Sequence, residues 1–79
     1  MKFNVYAMRD LKSGFLTPIV DQNDAMAARN FASSIQRSEG VLFTHKSDFQ
    51  LYRIGEYDTD LGVINPEDFP VLVADGKDV

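Results

Sequence analysis

From Lys2 to Arg9 the chain alternates, with Phe3, Val5 and Ala7 on one side of an extended backbone and Asn4, Tyr6 and Met8 on the other. Period two with aromatic and β-branched residues predicts a strand. Asp10-Leu11-Lys12-Ser13-Gly14 supplies a turn, with Gly14 as the residue at positive φ. Phe15-Leu16-Thr17 then pairs back as a second strand, which Pro18 keeps short or at an edge. Asp21 and Asn23 are rival caps for a helix, and Asp24 puts a carboxylate in its first turn. Ala25 to Arg37 is rich in helix formers, and Ala28, Phe31 and Ile35, flanked by Ala27 and Ala32, form a thin apolar stripe.

Beyond Gly40 the period returns to two. Val41 to Thr44 is a short apolar run that reads as a strand, broken by His45-Lys46-Ser47-Asp48. Phe49 to Tyr57 alternates with apolar groups on both sides, which predicts a central strand. Asp58 to Gly62 forms a turn, Val63-Ile64 starts the return strand, and Asn65-Pro66 stops it. Glu67 to Pro70 reads as a loop or one helical turn, and Val71 to Ala74 as a last strand or a partner-binding segment. The expected class is α+β: a small antiparallel sheet of four or five strands with one helix packed on one face. Phe3, Phe31, Phe43 and Phe49 are assigned to the core. One helix cannot cover both faces, so an open face carrying Tyr6, Met8 and Tyr52 is expected, and such a surface demands a reason.

Seventy-nine residues make one domain, 1–79, with a marginal core, so a homo-oligomer is expected to add stability. The absence of cysteine excludes disulfide scaffolds and thiolate metal sites. No apolar run approaches the ~20 residues of a membrane span, and the N-terminus lacks a signal-peptide core, so a soluble, cytosolic chain is expected. The net charge of −4 is unevenly placed: residues 1–53 carry seven bases and five acids, and residues 54–79 carry Lys77 against seven acids. A mildly basic body with an acidic end can bind a polyanion on one surface. Residues 75–79 are expected to be a flexible acidic tail.

Catalytic chemistry is poorly supplied. His45 is the single histidine and sits in a polar stretch, while Ser33 and Ser34 lack a nucleophile-elbow context. Asp21 to Asp24 starts like a calcium loop but continues with Ala25 and Met26, so it fails the motif. Glu56, Asp58 and Asp60 would align on an extended stretch, yet a solvated hairpin tip is the simpler reading. No glycine-rich phosphate loop occurs. The expectation is a non-enzyme with no cofactor and no metal. Single-stranded nucleic acid is bound by stacking platforms and a basic groove. Tyr6, Tyr52 and Phe15 are candidate stackers, and Arg9, Lys12 and Arg53, with Arg29 and Arg37, are candidate phosphate contacts. The site expected for DNA is Tyr6, Arg9, Lys12, Tyr52 and Arg53.

Several segments together resemble one known family. They are Met1 to Asp10 (MKFNVYAMRD), Gly14 to Pro18 (GFLTP), Asn23-Asp24, Ala28 to Ala32 (ARNFA), Asp48-Phe49, Leu51-Tyr52 and Ile54-Gly55. This combination, spanning roughly residues 1–66, resembles the small nonstructural protein of gokushoviruses, single-stranded DNA bacteriophages of the family Microviridae. The resemblance implies work in the host bacterial cytoplasm on making or packaging a single-stranded genome. It implies single-stranded DNA and the phage replication or procapsid proteins as partners. The alternative is a self-associating interaction module that engages that machinery or a host factor without touching DNA.

Overall fold

The computed structural model describes residues 1–79. Strand β1 (Lys2–Asp10) is the spine of an antiparallel sheet. On one side it pairs with β2 (Gly14–Phe15) and then with β3 (Ile19–Asp21); on the other it pairs with β4 (Phe49–Asp58), which pairs in turn with β5 (Val63–Asp75). The chain is thus an α+β fold with a curled five-stranded antiparallel sheet and one main helix, α1 (Asp24–Arg37). Gly14 takes φ 110° at the β1–β2 turn, a conformation that side chains rarely adopt.

The first residues of α1 settle the choice of cap. Asn23 is the N-cap, its side chain accepting from the Met26 amide at 2.9 Å, while the Asp21 carboxylate accepts from the Asn30 side chain at 2.9 Å. The stripe Ala27, Phe31 and Ile35 packs on Tyr6, Phe49 and Leu51 to form the core, with Met8, Leu42, Val73, Ala74 and Val79 around it. Alanine at position 27 lets the helix approach closely enough that Tyr6 is fully buried beneath it.

Three expectations are corrected. Val41–Thr44 is a short helix, α2, followed by a 3-10 turn at Lys46–Asp48, and Phe43 on it is half exposed rather than core. Pro66 does not end the return strand: the ladder is interrupted over Glu67 to Pro70, resumes at Val71 where a last strand is one of the expectations, and runs to Asp75 as a single edge strand, which tolerates a residue that cannot donate outward. Residues 76–78, expected to trail away, form a 3-10 turn against the body. Gly76 is buried there, the Lys46 ammonium donates to the Val79 carbonyl, and Val79 packs on the core.

Three irregularities set which side chains share a face. Val5 lies opposite Gly55 while Tyr6 lies opposite Arg53, so Ile54 is an extra residue and the alternation of β4 reverses there. On β5, Arg53 faces Val71 and Gly55 faces Pro66, so Glu67 to Pro70 bulges out of the ladder, and Tyr52 faces Leu72 while Leu51 faces Ala74, so Val73 is an extra residue. Asn4, Tyr6, Met8, Leu51 and Arg53 therefore lie on the helix side. Phe3, Val5, Ala7, Arg9, Gln50, Tyr52 and Tyr57 lie on the other.

Candidate nucleic-acid interface

The helix-free face carries an aromatic and cationic group near the β1–β2 turn. Antiparallel pairing sets Arg9 opposite Phe15 and Ala7 opposite Tyr52. The Phe15 and Tyr52 rings meet edge to face, with centroids 5.6 Å apart and planes at 67°. The Arg9 guanidinium lies 5.6 Å from the centre of the Phe15 ring, within cation–π range. Arg9 is exposed and Phe15 about half exposed. The Tyr52 hydroxyl donates to Gln50 Oε1 at 2.8 Å, and Gln50 Nε2 donates to Asp75 Oδ2 at 3.0 Å. That chain of bonds fixes the Tyr52 ring and ends the group on an acid. Lys12 sits in the turn beyond Arg9, where the Asp10 carboxylate accepts from its backbone amide at 3.0 Å, and it is exposed.

The other two expected DNA residues lie elsewhere. Tyr6 is under the helix, not on the open face. Its hydroxyl donates to Asp24 Oδ1 at 2.7 Å and accepts from Asn4 Nδ2 at 3.0 Å. Arg53 is on the same side and is already neutralised: one guanidinium nitrogen donates to Asp24 Oδ2 at 2.6 Å and Nε to Glu67 Oε1 at 3.1 Å. Burial, reinforced by the bond to the Asp24 carboxylate, pushes the Tyr6 hydroxyl up to about 12. The same Tyr6 bond, with Arg53, holds Asp24 below its usual value against the opposing effect of burial. Tyr6, Asp24, Arg53 and Glu67 thus tie the helix N-terminus and the β5 bulge to the sheet, and none offers a free group to a phosphate.

The strand period correctly paired Tyr6 with Met8. It carried no information on which side the helix would settle, and that choice moved Tyr6 from surface to core. The roles of Gln50 and Asp75 had no sequence signal, because a register across two strands brings them together. A shallow apolar cleft of about 210 Å³ lies on the helix side, between α1 and the β1–β3 edge, away from the aromatic group. Glu56, Asp58 and Asp60 do not converge: Glu56 faces Lys2 at 3.6 Å, Asp58 accepts turn amides, and Asp60 holds the N-terminal ammonium at 2.9 Å.

A family profile described as Phage ORF5 protein matches residues 3–79. The chain belongs to that family. No curated protein and no solved structure matches it. Membership makes this a bacteriophage protein over nearly its whole length, and the aromatic group and the Tyr6 network both lie within the matched residues. No helix of this ORF5-family chain is long and apolar enough to cross a membrane.

Proposed function

We propose that this phage protein is a non-enzymatic accessory factor that binds single-stranded DNA across its helix-free face. The observation that carries the reading is the Arg9–Phe15–Tyr52 group: a cation and two aromatic rings, held at 5.6 Å spacings on one surface. Every base has a π-face, so such a platform accepts single strands with little sequence preference. Arg9 and Lys12 take the backbone phosphates at the turn. Tyr6 and Arg53 act from behind the sheet, as its structural support. The resemblance to the gokushovirus nonstructural protein supports the same reading and suggests genome synthesis or packaging in the host cytoplasm, alongside replication or procapsid proteins.

Fluorescence anisotropy at low salt with a labelled mixed-sequence oligonucleotide tests it. Binding in the micromolar range is expected. Tyr52→Ala should weaken it about tenfold, in line with the loss of one stacking contact. Arg9→Ala combined with Lys12→Ala should weaken it further, while Tyr6→Phe should leave it unchanged. No binding by the wild-type chain, or equal loss from Tyr6→Phe and Tyr52→Ala, overturns the reading.

A further inference from the structure

The far end of the sheet distributes its side chains the opposite way from the end under the helix. On β1 the core beneath α1 starts at Tyr6, and no earlier residue of the strand joins it. From there to the β4–β5 turn the polar side chains stand on the helix side: Asn4 lies opposite Asp21 and Glu56, and Lys2 opposite Asp58. The helix-free side is apolar. Phe3 lies opposite Tyr57, which lies opposite Ile64, and Val5 lies opposite Val20 and Gly55. Ile64 is 58% exposed and Val20 50%. Apolar surface gathered on an uncovered face marks a place where something binds.

This apolar end runs on into the Arg9–Phe15–Tyr52 group. Val5, Ala7 and Gly55, all buried, lie between the two, so only small side chains separate them. Phe3 stands four residues before Ala7, the residue opposite Tyr52, which puts the Phe3–Tyr57 pair about 14 Å from Tyr52 along the strands. The chain has twelve acids, yet the cross-strand rows of this face from Phe3 to Ala7 hold none. Asp75, at the corner beside Gln50, is the first. The same rows hold no cation, since Lys2 is on the other side, 3.6 Å from Glu56. The positive charge of the face is therefore at one end, in Arg9 and in Lys12 of the turn beyond it.

We propose that Phe3 and Tyr57 form a second base-stacking station for single-stranded DNA, and that the strand runs along β1 from the Arg9–Lys12 end toward the β4–β5 turn. The inference rests on the DNA reading of the helix-free face and gives it a course and a length. An acidic chain that keeps these rows clear of carboxylates suits a polyanion, a condition that a peptide guest does not impose. Aromatic rings set at intervals along one surface take successive bases of a single strand. The far station has rings and no cation, so it adds stacking without a phosphate contact. Stations about 14 Å apart are out of reach of a dinucleotide, whereas a strand of about six nucleotides covers both and falls within the range of about 4–16 for one small β domain.

NMR titration of the full chain with a thymidylate dinucleotide and with a thymidylate hexanucleotide tests the inference. The dinucleotide should shift the amides of Arg9, Phe15 and Tyr52, and the hexanucleotide should shift those of Phe3, Tyr57 and Ile64 as well. Tyr57→Ala and Tyr57→Leu should each weaken the hexanucleotide about tenfold, the loss of one stacked base, and leave the dinucleotide unchanged. Tyr57→Phe keeps the ring and should bind as wild type does. Tyr57→Leu should also keep the wild-type salt dependence, because no phosphate contact is lost. Hexanucleotide binding that leaves Phe3, Tyr57 and Ile64 unshifted, a Tyr57→Leu variant that binds the hexanucleotide as tightly as wild type, or equal losses from Tyr57→Phe and Tyr57→Leu overturns the second station and leaves the DNA reading standing. A wild-type chain that binds neither oligonucleotide removes both.

Discussion

A tyrosine hydroxyl buried between Asn4 and Asp24 strongly prefers its neutral form. With its pKa raised from 10.0 to about 12, Tyr6 contributes stability that is complete below pH 10 and lost as pH climbs through about 12. Two units correspond to about 2–3 kcal/mol for a group this buried. Asp24 works in the opposite direction. Its depressed pKa contributes stability above the ordinary carboxylate value of 3.8, lost as pH falls through the lower folded value. Tyr6→Phe removes both hydrogen bonds and should cost about 1–2 kcal/mol in urea denaturation at neutral pH. In that variant the part of the alkaline loss between pH 10 and 12 that belongs to Tyr6 should vanish, and the Asp24 carboxyl should titrate closer to its normal value by NMR. An unchanged Asp24 titration would show that the Tyr6 bond does not govern it.

Among the elements, α1 and the C-terminal turn are held by different devices. The Asn23 side chain satisfies an amide that the helix leaves open, so Asn23→Ala should cost about 1 kcal/mol by thermal or urea unfolding. Gly76 is a matter of space. A β-carbon there would lie 1.9 Å from the Lys46 carbonyl oxygen and 2.9 Å from that of Phe49. Gly76→Ala must therefore push the last turn off the body. It should cost about 2 kcal/mol or more, with faster amide exchange over residues 46–49 as the local sign. Stability equal to wild type would mean the turn is not held there. The sequence showed the need for a cap within three residues of the right place but could not choose between Asp21 and Asn23, since both are good caps. It misread Val41–Thr44, because a four-residue apolar run has no period long enough to separate a strand from a helical turn. It placed the break after Pro66 and a strand at Val71 to Ala74 but could not join them into one strand, because Pro66 forbids a central strand and permits an edge one, and only the strand order tells which.

At the scale of the whole molecule, charge limits how DNA can be held. A chain of net charge −4 whose exposed cations at and beside the aromatic group are Arg9 and, in the turn beyond it, Lys12 can neutralise few phosphates. Binding should depend on salt with a slope of about −1.4 in log K against log salt, the value for two phosphates on a single strand. Stacking should carry the rest. A much steeper slope in salt titrations would point to the helix arginines, Arg29 and Arg37, as the true contacts. The small core, with 10 of 79 residues buried, leaves a chain of this size a narrow margin of stability.

The order of hydrophobic and polar positions was enough to determine the long strands, the main helix, the turn at Gly14 and the α+β class with its antiparallel sheet. These depend on periods of two and 3.6 and on local turn chemistry, which a single chain displays openly. Which side of β1 receives the helix, where Ile54 reverses the alternation of β4, and which strand stands at the edge were decided only by the tertiary structure. Those choices come from contacts between residues far apart in the chain. They sent Tyr6 and Arg53 behind the sheet, brought Phe15 to Tyr52, and left the outer rim of β5 without a partner.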